Sequence, residues 1–341
     1  MRFFQTSFWL AVVFGITGCL SFSPTTPAGA PKDATFLKVS DTTVRYVDVG
    51  QGPAVVLLHG FASSMDNWNS VIPELQTNHR VIALDLKGFG YTSRPEGDYS
   101  PQAQAEMVLA LLDERGVDTF SIVGHSWGSS VALQVALMAP ERVDRIALYD
   151  AWVYAEQLPT FFWWSRASGV GETLFALFYN ERPDEKMSSA FYDPSTIDQK
   201  FVDSVEESLS RPGTRAAALE AVRGQRFEEW QEDYKKIEQP TLLIWGREDA
   251  VTQLKYGERL ERDLPNAELV VYPRCGHFPM KEAKEASTKR LLDFLTPTIR
   301  PCYQRNVLLS GGTSASAPAQ ECPSDIDTPE DSFKPVEGGA E

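Results

Sequence analysis

The sequence is short of histidine, cysteine and positive charge, and each shortage excludes something. It holds 4 histidines (His59, His79, His125, His277) and 4 cysteines (Cys19, Cys275, Cys302, Cys322) in 341 residues. They are scattered and no cysteine pair has metal-ligand spacing, so a metal is not expected, and the chemistry read below needs no other cofactor. Lys and Arg number 32 against 47 Asp and Glu, a net charge of −15. Nothing there would neutralise phosphates, which argues against nucleic acid as a partner. The apolar run Phe8 to Ile16 is too short to span a bilayer as a mature helix. No internal repeat is visible. What remains, 43% hydrophobic and 23% charged, is an ordinary globular composition, large enough for a full core.

Apolar, β-rich runs alternate with helical patterns along most of the chain. Residues 34 to 49 read as two strands around Ser40-Asp41, followed by strands at Ala54–Leu58, Arg80–Leu84, Ser121–Val123, Val143–Tyr149, Thr241–Trp245 and Ala267–Tyr272. Helical patterns run from Trp68 to Leu75, over 102–114 and along Val131 to Met138. Continuous apolar strands separated by helices imply an α/β fold: a mostly parallel sheet with helices on both faces. Residues 151 to about 235 break the rhythm with an aromatic-rich helical insertion, read as a cap. Trp152, Tyr154, Phe161, Phe162, Trp163, Trp164, Phe175, Phe178 and Tyr179 either line an apolar pocket there or hold the cap to the core.

The stretch Gly124-His125-Ser126-Trp127-Gly128 joins a strand to a helix. That is the setting of a nucleophile elbow, in which a sharp turn pushes the serine hydroxyl out at the sheet edge. Ser126 needs a base to take its proton. His277, in Cys275-Gly276-His277-Phe278-Pro279, follows a strand and emerges from the same edge. Asp249, in Gly246-Arg247-Glu248-Asp249, lies just past the preceding strand and can orient that imidazole. Glu248 and Asp150 are possible substitutes for it, more readily explained as a solvated side chain and a turn cap. The backbone N–H groups of Phe61 and Trp127 are the candidate oxyanion hole. His59 is read as a support for the loop that carries Phe61.

These pieces, with Asp85-Leu86-Lys87-Gly88-Phe89-Gly90 and His59-Gly60-Phe61, resemble the α/β-hydrolase superfamily over about residues 35 to 298. The resemblance implies an eight-stranded sheet with a cap inserted after the sixth strand. Thr92 stands where the family usually has Ser, and Lys284 where a proline often follows, without touching the chemistry. Haloalkane dehalogenases and epoxide hydrolases of this scaffold carry Asp at the elbow; Ser126 points to acyl transfer instead.

At the N-terminus, Arg2, the apolar run and Ile16-Thr17-Gly18-Cys19 have the tripartite form of a secretory signal. Ending in aliphatic-small-small-Cys, the segment is similar to a bacterial lipoprotein signal, which implies cleavage after residue 18, lipidation of Cys19 and a place in the cell envelope, leaning to the outer membrane. The expected organisation is therefore signal 1–18, flexible tether 19–33, hydrolase core 34–150, cap 151–235, core 236–300 and an acidic, disordered tail 301–341. Within that tail Cys302 and Cys322 are candidates for a disulfide, worth about 3 kcal/mol in an oxidising compartment.

The expectation is a membrane-tethered carboxylesterase acting on small or medium apolar acyl substrates. Three alternatives share the triad: a prolyl aminopeptidase, which would need cap carboxylates (Glu156, Glu172, Glu181, Asp184, Glu185) to bind an amine, a meta-cleavage C–C hydrolase, and a cofactor-free perhydrolase. A non-catalytic lipoprotein binding module is the alternative from another class.

Overall fold

Eight stretches read as strands become eight strands. The computed structural model describes residues 20–179 and 183–296. The strands are β1 (Thr35–Val39), β2 (Thr42–Val49), β3 (Ala54–Leu58), β4 (Arg80–Leu84), β5 (Phe120–His125), β6 (Val143–Tyr149), β7 (Thr241–Gly246) and β8 (Ala267–Tyr272). They form one sheet in the order β1-β2-β4-β3-β5-β6-β7-β8. The β1–β2 and β2–β4 pairs are antiparallel and the other pairings parallel. The architecture expected from the sequence is present, including the insertion after β6. Central strands such as β5 and β7 are buried along their whole length, which is why they lack the polar alternation of a half-solvated strand.

Helices α1 (Pro101–Glu114), α2 (Trp127–Met138), α8 (Leu254–Asp263) and α9 (Lys284–Leu295) belong to the core. Ser100 caps α1 by accepting from Ala103 N–H at 3.2 Å, and Pro101 follows at its first position, where a missing N–H costs nothing. The expected helix at 68–75 is only a 3₁₀ turn (Met65–Trp68) and a single α-turn (Ile72–Leu75). Its apolar residues still do their work: Trp68, Val71 and Leu75 are fully buried.

The cap carries α3 (Thr160–Ser165), α4 (Val170–Phe178), α5 (Pro183–Ala190), α6 (Gln199–Ser210) and α7 (Thr214–Gly224). Among the described residues no helix is long and apolar enough to cross a membrane. The stretch read as a flexible tether touches the body. Ser23 exchanges two backbone hydrogen bonds with Arg94 (2.8 and 2.7 Å), and Phe22 stacks on Tyr99 with ring centroids 6.0 Å apart. Cys19, Cys302 and Cys322 lie outside the described residues, so the lipid and disulfide readings stay expectations of the sequence.

Candidate active site

Parallel register brings the chemistry to one edge. Leu58 pairs with Gly124, His125 with Tyr149, and Gly246 with Tyr272, so β3, β5, β6, β7 and β8 all end together. Ser126 sits in the turn from β5 into α2 with φ 52° and ψ −122°, outside the regions a side chain favours. Close packing holds it there. A Cβ on Gly124 would come within 2.7 Å of Gly128 O, and one on Gly128 within 2.7 Å of Leu58 O. Backbone bonds fix the turn further: Ser126 N–H donates to Tyr149 O (2.9 Å), and Trp152 and Ser129 donate to Ser126 O (3.1 and 2.9 Å).

His277 leaves β8 in a loop whose backbone is clamped from two sides. Its N–H donates to Ala190 O of the cap at 2.7 Å, and its carbonyl oxygen lies 2.8 Å from His125 Nε2. His277 Nδ1 is 2.8 Å from Asp249 Oδ2. Asp249 also accepts Val251 N–H (2.6 Å), Thr252 N–H (2.9 Å) and the Thr252 hydroxyl (2.6 Å). Burial alone would raise its pKa, but His277 and Thr252 outweigh burial and hold it below the usual carboxylate value. The carboxylate therefore stays charged and fixes the imidazole proton on Nδ1, leaving a lone pair on Nε2. Ser126 and His277 line the same cavity. The Ser126 hydroxyl has no hydrogen bond among the described residues; such contacts commonly tighten only when substrate is bound.

The two proposed oxyanion donors belong to neighbouring residues, with the Phe61 and Trp127 rings 6.0 Å apart and edge to face. A Cβ on Gly60 would lie 3.1 Å from Ser126 Cβ, so this loop runs hard against the elbow. His59 supports it, as expected: Nδ1 lies 2.7 Å from Gly60 O and Nε2 accepts Leu86 N–H at 2.9 Å. Burial pushes the His59 pKa down. Asp85 braces the same region, accepting Met65 N–H and Tyr91 N–H at 2.7 Å each.

Three residues matter here that sequence reasoning passed over or undervalued. His125 is a buried strut: burial first, then the neighbouring His277, holds its pKa well below the histidine range, so it stays neutral and donates to the His277 carbonyl. Thr252 bonds the acid and lies 3.4 Å from His277 Nδ1. Asp150, read as a turn cap, is fully buried at the end of β6 with φ 44°. Its Oδ1 accepts Gly246 N–H at 2.9 Å, while Oδ2 has no hydrogen-bond partner among the described residues. Ligand atoms of Asp150, Asp249 and His277 all fall within 4.8 Å of one another. Burial and then the Asp249 charge push Asp150 well above the carboxylate range, so it is held as the neutral acid. A cation in this cluster would have to displace the Asp249–His277 bond. Glu248, by contrast, is exposed and accepts Cys275 N–H (3.1 Å).

Ser126 opens into a cavity of about 440 Å³. Of the aromatics singled out in the cap, Trp152, Phe161, Phe162, Phe175 and Tyr179 line it. Tyr154 is structural, its hydroxyl donating to Asp263 at 2.6 Å, whereas Trp163 and Trp164 face outward. The Phe178 side chain lies outside the described set. Among the described residues the lining has no charged side chain. Glu156 and Glu172 are outside it, paired with Arg259 (3.1 Å) and Arg223 (2.9 Å), so neither is free to bind an amine. The side chains of Glu181, Asp184 and Glu185 lie outside the described residues.

A family model described as alpha/beta hydrolase fold matches residues 53–284. The chain belongs to the alpha/beta hydrolase family. One relative is the 2-hydroxy-6-oxo-2,4-heptadienoate hydrolase of Pseudomonas putida, 30% identical over 263 residues, covering 73% of this chain and 91% of that one. In structure the chain is similar to a variant of the meta-cleavage product hydrolase of Pseudomonas fluorescens, with TM-score 0.65 and 28% identity over 76% of this chain and 96% of that one. A further neighbour is an enzyme described as degrading N-acyl homoserine lactones, with TM-score 0.65 and 25% identity over 76% of this chain and 100% of that one. The family's relatives here weigh towards meta-cleavage, C–C bond hydrolases, the alternative reading, rather than the carboxylesterase expected first.

Proposed function

We propose that this chain is a serine hydrolase that cleaves a bond beside the carbonyl of a small, largely apolar substrate. The observation that carries the reading is Ser126 at a strained turn, opening into an apolar cavity it shares with a histidine already bonded to a buried carboxylate. His277 Nε2 takes the Ser126 proton as Oγ attacks the carbonyl carbon. The N–H groups of Phe61 and Trp127 donate to the oxyanion, a contribution of roughly 3 kcal/mol per donor. Collapse breaks the bond to the leaving group, which takes the proton from the imidazolium, and Ser126 is left acylated. Water, deprotonated by His277, then attacks the acyl carbon. The acid departs, and the proton returns through His277 to Oγ.

For the bond itself, the similarity to C–C hydrolases favours carbon–carbon cleavage next to a ketone. The leaving carbon then departs with its electron pair delocalised into a conjugated system and is protonated by His277. A specific observation keeps the ester as a second reading: the uncharged lining suits a neutral acyl group, whereas a dienoate brings a carboxylate that this lining does not pair. Loss of the absorbance of 2-hydroxy-6-oxo-2,4-heptadienoate, measured beside p-nitrophenyl butyrate hydrolysis, separates the two. Turnover of the dienoate at least ten-fold above the ester in kcat/KM supports C–C cleavage, and the reverse ratio supports the esterase. Turnover of neither, nor of other neutral esters and ketones, overturns the proposal.

A further inference from the structure

Helices α3 and α4 have two apolar faces, and only one is used by the cavity. Phe161, Phe162 and Phe175 point inward and line it. On the other side stand Trp163 (42% exposed), Trp164 (61%), Val170 (45%) and Leu177 (55%), four of the six large hydrophobic side chains most exposed among the described residues. Val170, half-buried Leu174 and Leu177 follow one another at helical spacing, so they form a stripe rather than scattered exceptions. The Arg166 guanidinium lies over the Trp163 ring, 4.0 Å from its centroid, and exposed apolar surface edged by a polar group in this way marks a contact.

The place where the chain's N-terminal part joins the body says what that is. Phe22 and Ser23 are held against Tyr99 and Arg94. Arg94 in turn bonds Thr214, the first residue of α7, at 2.8 Å. Helix α4 packs against α7, where a Cβ on Gly171 would meet Leu219 Cδ1 at 2.8 Å, and a Cβ on Gly213, just before α7, would meet Ser23 N at 2.8 Å. Segment 20–23 therefore lies at the start of α7, the helix on which α4 packs. Cys19 is one residue before Leu20, and a residue spans at most about 3.6 Å. A lipid on Cys19, as the sequence suggests, would leave almost no free tether and would bring a bilayer against this side of the molecule.

We propose that the outer face of α3 and α4 rests on a lipid bilayer, with Trp163 and Trp164 at the level of the headgroups. Indole rings suit that depth, being apolar in body with one polar N–H. With a net charge of −15, the chain fits a zwitterionic surface and not an anionic one. Apolar compounds dissolved in the membrane would then lie beside the helices whose inner face lines the cavity. This surface does not depend on Ser126 being catalytic.

The test uses the full chain bound to phosphatidylcholine vesicles, with and without bromine on the acyl chains, and reads tryptophan emission. Brominated lipid quenches the wild type, and the quenched signal falls by at least half in W163F/W164F. In L177E, which keeps both tryptophans, quenching falls as well because the stripe no longer seats. Equal quenching in wild type and W163F/W164F overturns the proposal, as does absence of quenching in the wild type. A dimer that L177E dissociates, without lipid quenching, assigns the face to a second copy and overturns it too.

Discussion

Replacing Asp249 by Asn changes one heavy atom and tests how the base is prepared. Asp249 Oδ1 takes two backbone N–H groups, from Val251 and Thr252, while Oδ2 takes the Thr252 hydroxyl and His277 Nδ1. An amide there keeps its oxygen towards the two backbone donors, because turning it would leave both buried N–H groups facing an NH₂. The NH₂ then faces His277 Nδ1 and donates to it. The imidazole must offer a lone pair at Nδ1 and carry its proton on Nε2, so it cannot accept from Ser126. In serine triads the wrong tautomer costs about 10⁴ in kcat, about 5.5 kcal/mol of transition-state stabilisation. The assay is turnover of whichever substrate the wild type accepts, with circular dichroism to show that D249N is folded. A folded D249N keeping more than a tenth of wild-type kcat would refute the reasoning. If D150N/D249N then abolished that residue of activity, Asp150 would be the acid instead.

Three further outcomes follow from the same geometry. Because the Asp150 pKa is raised in the folded state, its contribution to stability is full below the unfolded carboxylate pKa of about 4 and is lost as pH rises towards the folded value. D150N, which mimics the neutral acid, should thus gain stability over wild type as pH climbs from 4.5 to 7.5, by up to about 1.4 kcal/mol per unit; urea midpoints at the two ends check this, and a pH-independent difference contradicts it. G124A should lose about 1–3 kcal/mol, since its methyl would press on Gly128 O and on Ser129; an unchanged thermal midpoint contradicts the packing account of the elbow. Cys275 is buried and its thiol pKa pushed up, so dithiobis-nitrobenzoate should label it only on unfolding; rapid labelling of the native protein at this position contradicts its burial.

Much of this was legible because the signals are local. Strands β3, β4, β6 and β8 begin and end where the sequence places them; β3 and β4 are buried after their first residue and read as continuous apolar runs, whereas β6 and β8 keep Asp144 and Glu268 at exposed positions. Ser126, Asp249 and His277 are each tied to a strand end, and strand ends are the best-marked places in such a sequence. What depended on sheet order was not legible. Asp150 meets Asp249 only because β6 and β7 are neighbours, and His125 reaches the His277 carbonyl only because the loop after β8 folds back over the elbow. The cap was opaque for another reason. Its helices are short and apolar on more than one side, so periodicity alone does not say that Phe162 faces the cavity while the adjacent Trp163 faces out. Likewise the Ser, Pro and Thr of residues 21–27 look like a free tether, and only the Arg94 backbone shows what Ser23 pairs with.

The central claim is that Ser126 is the nucleophile and His277 its base. The most direct measurement is intact mass, with peptide mapping, after exposure of the full chain to a fluorophosphonate. The account predicts a single adduct on Ser126, none in S126A, and labelling slowed by at least a hundred-fold in H277A. Absence of an adduct on the folded wild type, or an adduct that persists in S126A, would contradict it.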